Sequence, residues 1–195
     1  MLKRLFDIFF SIIGLVLLSP LFIVVALCIV IDSKGNVFYT QKRVGLNNKD
    51  FVLLKFRTMT LNAEHRGLLT IGNKDLRITK IGYYLRKFKI DELPQLMNVL
   101  IGNMSLVGPR PEVRKYVDMY NTEQLMVLNV KPGITDFASI AYINESELLA
   151  TANDPEQLYI EKVMPEKLKL NLNYIKEQGF STDIKIIFKT LKSIF

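Results

Sequence analysis

Two adjacent carboxylates, Asp91 and Glu92, sit in the most chemically loaded stretch of the chain. A carboxylate can attack phosphorus as a covalent nucleophile. Successive residues on a helix diverge by about 100°, so the two need not share one role. The same pair at a helix start also does ordinary capping and dipole compensation, and the residues alone leave both readings open. Cations are spread around them in sequence: Lys55, Arg57, Arg77, Arg86 and Arg110, with Glu112 available to orient an arginine. Arginine forks match phosphate oxygens, and phosphoryl transfer is mostly positioning and charge stabilisation. Each cation alone reads as surface charge; as a set among small and proline residues they read as a phosphate pocket. Gly108-Pro109-Arg110-Pro111 gives Arg110 the most rigid backbone of the set. His65 is the single histidine, which removes Ser-His-Asp machinery and histidine metal clusters; it reads as structural or exposed.

The elements that must position this chemistry begin with a membrane signal. Ile8 to Ile31 is apolar except for Ser11, Gly14, Ser19 and Pro20, and carries no charge, long enough to meet the roughly 20 residues of a hydrocarbon crossing. Pro20 removes a helix hydrogen bond at the Val16 carbonyl, and Ser19 is placed to satisfy it, as lipid requires. The spacing therefore predicts a bent helix–break–helix element at Ser19–Pro20. Lys3 and Arg4 precede the run, and Lys34, Lys42, Arg43 and Lys49 follow it. Cationic flanks mark the cytoplasmic side; two of them favour a re-entrant hairpin over a straight span. A signal peptide fits poorly, since the run is long and no small-x-small site follows. In Val25-Ala26-Leu27-Cys28 the leucine is too large for a lipoprotein site.

The chain has 195 residues, net charge +7, 49% apolar residues, one cysteine and no tryptophan. That length allows one domain with a core, and a single cysteine excludes an internal disulfide. The basic excess suits anionic headgroups or phosphates; nucleic acid is set aside because no binding motif accompanies the charge. Val37 to Lys42 and Phe51 to Thr58 read as strands joined by Gly45-Leu46-Asn47-Asn48. From Ile78 the pattern becomes mainly helical. Leu93, Leu96, Met97 and Leu100 predict a buried stripe, with Asp91 as N-cap, Pro94 in the first turn and Gly102 as the stop. Pro155 and Pro165 read as first-turn prolines of two later helices, the second ending near Gln178. From Ser181 as N-cap, Ile184, Ile187, Phe188, Leu191, Ile194 and Phe195 share a face opposite Lys185, Lys189 and Lys192. This is the pattern of an interfacial helix or of a core-packing terminal one.

Between Lys55 and Glu112 stand Lys55-Phe56-Arg57-Thr58-Met59, Asp75-x-Arg77-x-Thr79-x-x-Gly82, Leu85-Arg86, Asp91-Glu92-Leu93-Pro94-Gln95-Leu96, Asn98-Val99-Leu100-x-Gly102-Asn103-Met104-Ser105 and Leu106-Val107-Gly108-Pro109-Arg110-Pro111-Glu112. With Lys3-Arg4-x-x-Asp7, Ser19-Pro20 and Lys131-Pro132-Gly133-Ile134-Thr135, this order resembles the bacterial small monotopic polyprenol-phosphate phosphoglycosyl transferases, the initiating sugar transferases of glycoconjugate and exopolysaccharide biosynthesis. The resemblance covers about two thirds of the chain. It implies transfer of a sugar-1-phosphate from a UDP-sugar to polyprenol (undecaprenyl) phosphate with release of UMP. It implies a phosphosugar carried on Asp91 and Mg²⁺ as cofactor, with Asp91 and Glu92 at the metal. Lys55, Arg57, Arg77, Arg86, Arg110 and Glu112 are carried over to the phosphates. The expected place is the cytoplasmic face of the bacterial inner membrane, with membrane lipid, a homodimer and downstream glycosyltransferases as partners.

The expected fold is α+β and mainly helical: a re-entrant membrane segment over 1–33, then a cytosol-facing catalytic domain over 34–195. That domain carries a small β-hairpin and amphipathic interfacial helices, all packed as one monotopic membrane domain. Larger relatives carry extra membrane helices ahead of this domain, and the expectation here is a chain that begins at the re-entrant segment. Lys89-Ile90 stand where Ser-Leu is frequent in the family, Asn103 where Asp is usual, and Asp136-Phe137-Ala138-Ser139-Ile140 where Gly-Trp-Ala-Gln-Val is frequent. The region from Asp136 to about Glu161 is therefore where sugar specificity is expected. The competing class is a non-enzymatic membrane adaptor or anionic-lipid-binding domain, which explains charge and anchor but not the dyad in its Pro- and Arg-rich setting. A polytopic-type transferase using direct attack is disfavoured by the single hydrophobic segment.

Overall fold

Residues 2–61, 63, 67–72 and 75–194 are described by the structure, a computed structural model; the readings of His65 and Phe195 fall outside them. Helix α1 (Leu2–Leu17) meets α2 (Ser19–Asp32) at a 60° bend. Pro20 has no N–H for the Val16 carbonyl, and the Ser19 hydroxyl donates to that oxygen at 2.8 Å. Among the described residues no single helix is long and apolar enough to cross a membrane, but this bent pair passes the length and composition test together. Phe9 and Val16 of α1 and Ile23, Leu27 and Ile31 of α2 are each more than half exposed. The opposite side is buried: Val25 and Ile29 pack with Phe56 and Leu85.

The charges in the first two turns of α1 do more than flank the apolar run. Arg4 donates to the Val99 and Leu100 carbonyls at 2.6 and 2.9 Å. Lys3 donates to the Val107 carbonyl at 3.0 Å and pairs with Asp183. Asp7, also buried, accepts from the Leu106 N–H at 3.1 Å. The bent pair is thereby fastened to the rest of the fold by polar bonds made at its N-terminal end.

Strands β1 (Phe38–Val44) and β2 (Asp50–Phe56) pair antiparallel from Phe38–Phe56 to Val44–Asp50, within two residues of the expected bounds. Their turn places Asn47 and Asn48 at φ 55° and 59°, a region that asparagine enters more readily than most side chains. Helix α3 (Lys80–Lys87) starts at Thr79, whose hydroxyl accepts from the Gly82 N–H at 3.0 Å. A 3₁₀ turn over Ile90–Glu92 leads into α4 (Gln95–Ile101), stopped as expected by Gly102 at φ 99°. The expected stripe is partly wrong. Leu96 is buried, but Met97 is 45% exposed, and the inward face is Gln95, Leu96, Asn98 and Val99. Asn98 is drawn inward by its bonds to Leu54 and Val52 of β2, which turns Met97 outward.

A second sheet was not anticipated. Strands β3 (Ser105–Val107) and β4 (Gly133–Thr135) pair in parallel, Ser105 opposite Gly133 and Val107 opposite Thr135. Three residues are too few for alternation to show in sequence. Gly133 is required by close approach, since a Cβ there would lie 2.1 Å from the Gly108 nitrogen. Beyond lie α5 (Arg114–Val117), α6 (Phe137–Ala141), α7 (Glu145–Ala150), α8 (Pro155–Leu158), α9 (Met164–Glu177) and α10 (Phe180–Ile194). Pro155 and Pro165 do occupy first turns, yet a π-helical turn at Tyr159–Val163 joins α8 to α9. Tyr116, Leu149, Tyr159, Val163, Met164 and Leu168 form the main core between them. Helix α10 starts one residue before Ser181, so that serine is not its cap. Asp183 and Ile186 face inward, whereas Phe188 and Leu191 are 68% and 50% exposed.

Candidate active site

The dyad is delivered by a turn in the chain rather than by a helix. Lys89 sits in the left-handed region at φ 56°, and the following 3₁₀ turn carries Asp91 and Glu92 inward, 5% and 8% exposed. Asp91 was expected to cap α4. It does not: Pro94 precedes the helix and no side chain caps it. The turn is held against β2 by buried Asn98, whose amide accepts from the Leu54 N–H at 3.0 Å and donates to the Val52 carbonyl at 2.7 Å. Asn98 thus pairs with β2 as a neighbouring strand would, and fixes Lys55 opposite the dyad.

The two carboxylates have opposite surroundings. Glu92 is gripped on both oxygens: Lys55 donates to Oε1 at 2.9 Å, Arg110 Nη1 to Oε2 at 3.0 Å, and Arg110 Nη2 also reaches Oε1. Burial alone would raise its pKa, but Arg110 and Lys55 outweigh burial and hold it well below the usual carboxylate range. Asp91 has an oxygen, Oδ1, that is buried without a hydrogen-bond partner among the described residues. Burial first, then the Glu92 charge, raise its pKa, against the opposing pull of Lys55, Arg86 and Lys89. Burial likewise lowers the Lys55 pKa, with Glu92 pulling the other way. Burial and charge thus drive the two neighbouring carboxylates apart, with Glu92 the anion fixed by Arg110 and Lys55.

Arg110 is set by the second sheet. Its N–H donates to Asp136 Oδ2 at 3.0 Å, while the Gly133 N–H donates to the Pro109 carbonyl at 3.0 Å. Asp136 is wholly buried and also caps α6 through the Ser139 N–H. The remaining carried-over residues take different places. Arg86 donates to Thr70 Oγ1 at 2.7 Å and keeps its charge within reach of Asp91. Arg57 binds Asn36, Lys34 and Ser33, tying the end of α2 to β2. Arg77 pairs with Asp75 at 2.6 Å and binds the Gly67 and Leu69 carbonyls. Glu112 does orient an arginine, but it is Arg43, at 3.0 Å, and it also accepts from Tyr159. The structure therefore gathers Lys55, Arg86, Asp91, Glu92 and Arg110 at one point. Arg57 and Arg77 have guanidinium groups already engaged by protein.

All of these line one cleft of about 1010 Å³, at the upper end of the roughly 300–1,000 Å³ of small-molecule sites. The same cleft reaches Phe6 and Phe10 of α1 and Ile187, Leu191 and Ile194 of α10, so it has a charged centre and an apolar arm. Sequence reasoning missed Arg43, Asn98 and Asp136 as site builders. Arg43 shares a strand face with Gln41 by the two-residue period, and Gln41 Oε1 accepts from it at 2.7 Å; that alternation was a usable signal. Asn98 and Asp136 act through backbone partners distant in sequence, which no local pattern shows.

The donor set also bears on metal. No group of three or more carboxylate, histidine or cysteine side chains is gathered for a metal among the described residues. Mg²⁺ commonly takes one or two carboxylates, with waters and substrate phosphates completing its shell. The unpartnered Asp91 oxygen fits that pattern, whereas Glu92 is already engaged by Arg110 and Lys55.

A sequence profile described as bacterial sugar transferase matches residues 1–195. The chain is 38% identical over 99% of its length to a UDP-N-acetylgalactosamine-undecaprenyl-phosphate N-acetylgalactosaminephosphotransferase of Aeromonas hydrophila, covering 43% of that protein. It is 36% identical over 97% of its length to a UDP-glucose:undecaprenyl-phosphate glucose-1-phosphate transferase of Klebsiella pneumoniae, covering 39% of that one. The uncharacterized sugar transferase EpsL of Bacillus subtilis is 37% identical over 99% of the chain and is covered over 87% of its length. The chain thus spans about two fifths of the first two relatives and most of the third. With the full-length profile match, these identities make the chain a member of the bacterial sugar transferase family.

Proposed function

We propose that this chain moves a sugar-1-phosphate from a UDP-sugar to polyprenol phosphate through a covalent intermediate on Asp91. The observation that carries the reading is the split dyad: Glu92 locked between Lys55 and Arg110, and Asp91 buried beside it with an oxygen that has no partner among the described residues. An Asp91 carboxylate oxygen attacks the phosphorus that bears the sugar. The bond from that phosphorus to the bridging oxygen breaks, and UMP leaves with that oxygen and its electron pair. An oxygen of polyprenol phosphate then attacks the same phosphorus, the acyl phosphate bond breaks, and the Asp91 carboxylate is restored. Arg110 and Lys55, oriented through Glu92, face the charge that builds on the phosphoryl oxygens; preorganised donors of this kind are worth about 10²–10³ in rate.

Mg²⁺ is part of the proposal: Asp91, with Glu92 adjacent, would hold it, and it would supply neutralisation of the diphosphate charge. The apolar arm between α1 and α10 suits the prenyl chain. The bent α1–α2 pair, with its exposed apolar face, suits a re-entrant hairpin at the cytoplasmic face of a bacterial inner membrane. UMP release from a panel of UDP-sugars, with Mg²⁺ and polyprenol phosphate, tests the reaction and names the sugar together. UMP released with at least one sugar is the expected result; none with any sugar would move the chain to the adaptor class.

A further inference from the structure

The α6–α7–α9 side of the cleft carries a polar wall that the transfer chemistry does not use. On α9, Lys167 and Asn171 lie four residues apart, hence on one helix face, and both line the cleft. Lys167 pairs with Glu145 of α7 at 2.5 Å, with side chains 14% and 26% exposed. Its ammonium also lies 5.5 Å from the Tyr159 ring centre. Asn171 is 4% exposed, and its Oδ1 has no hydrogen-bond partner among the described residues. The Ser139 hydroxyl of α6, which also lines the cleft, is in the same condition. Buried polar atoms left unpaired are costly, so two in a cleft wall that also carries a charged pair mark a place built for a polar ligand. Glu145 and Arg110 line the same cleft as the dyad, so the wall opens onto the cavity that holds the reacting carboxylates.

We infer that Asn171, Ser139 and the Glu145–Lys167 pair form the subsite that reads the sugar of the donor. The inference rests on the transfer reaction proposed above. The wall offers acceptors in Asn171 Oδ1 and Glu145, and donors in Lys167 and Ser139. The matching ligand group therefore both donates and accepts hydrogen bonds, which on a sugar is a ring hydroxyl or an acetamido substituent. Sites that hydrogen-bond a substrate group reject analogues lacking it far more strongly than apolar pockets reject a missing methylene. Asn171 thus becomes a specificity residue in a helix outside the region from Asp136 to about Glu161 where specificity was expected.

The test compares binding as well as turnover. Affinities of UDP, UDP-glucose, UDP-galactose and their N-acetylhexosamine counterparts are measured for the wild-type chain, Asn171→Leu and Lys167→Met, beside kcat and KM for UMP release. The expected result is a wild-type preference for one UDP-sugar over UDP that falls about tenfold in each variant, with UDP affinity unchanged. Loss confined to the acetamido pair identifies that substituent; loss confined to one epimer identifies a ring hydroxyl. A variant that loses UDP affinity equally would assign the wall to the nucleotide and overturn the inference, as would an unchanged sugar preference. If UDP-sugars bind selectively but no UMP appears, the transfer reading fails while the subsite stands.

Discussion

Replacing Asp91 by asparagine should remove turnover and make the protein more stable. The side chain keeps its shape, but an amide cannot form an acyl phosphate. Loss of a covalent nucleophile costs on the order of 10⁶ in kcat where it has been measured, about 8 kcal/mol of barrier. The stability gain follows from the surroundings of Asp91: 5% exposed, one oxygen without a partner among the described residues, Glu92 next to it. Its folded pKa lies above the ordinary value of 3.8. The sign is then fixed: its contribution to stability is fully present below pH 3.8 and is lost as pH rises through the folded value. At pH 7 the native state therefore carries a penalty that asparagine, which resembles the neutral acid, does not. The gain comes from removing the buried charge, since the asparagine oxygen would be as unpaired as the carboxylate one; with a desolvation penalty of at least about 1 kcal/mol for such a group and a midpoint shift of about 2–4 °C per kcal/mol at this size, the variant should melt at least about 2 °C higher. The chain has no tryptophan, so the melt is followed by circular dichroism in detergent at pH 7 and again near pH 4, where the gap should narrow. A variant that melts lower at pH 7 would mean that Asp91 is a structural, ionised group whose burial carries no penalty.

Arg110→Ala should lower turnover by about 10²–10³ and cost about 1–3 kcal/mol of stability, because Glu92 would keep only Lys55; melting and UMP release measured together check both. Chelation by EDTA should silence UMP release and Mg²⁺ restore it, whereas full activity in EDTA would remove the metal from the proposal. Replacing Ser19 and Pro20 together by alanine should restore a continuous helix, since alanine is the strongest helix former and the Val16 carbonyl regains its usual partner. A single cysteine at position 2, in a Cys28→Ser background, should resist an impermeant thiol reagent in intact spheroplasts for the native hairpin and be labelled in the double variant. Labelling of the native chain would establish a spanning helix.

What sequence alone could show follows the range of each interaction. The bend at Ser19–Pro20 was legible down to its hydrogen bond, because proline, serine and the Val16 carbonyl lie within four residues. The β-hairpin and the Gly102 stop were legible for the same reason. The dyad was legible as a candidate, yet its division of labour was not. Glu92 is fixed by Lys55 and Arg110, which are 37 and 18 residues away. Lys3 and Arg4 look in sequence like membrane flanks, and the structure shows them bonded to residues about 95 to 180 positions away. Arg57 and Arg77 resemble phosphate ligands by residue type, and only their contacts with backbone carbonyls show that those guanidinium groups are already engaged. The parallel pair β3–β4, which sets Arg110, is three residues long on each side, below the length at which periodicity carries information.

The covalent claim is tested most directly by mixing the protein with its UDP-sugar in the absence of polyprenol phosphate, quenching, and mapping any added mass by peptide mass spectrometry. The account predicts a burst of UMP approaching one equivalent per chain, a phosphosugar on the peptide bearing Asp91, and its disappearance when polyprenol phosphate is added. An adduct on Glu92, or UMP release that begins only with the lipid acceptor and leaves no adduct, would contradict it.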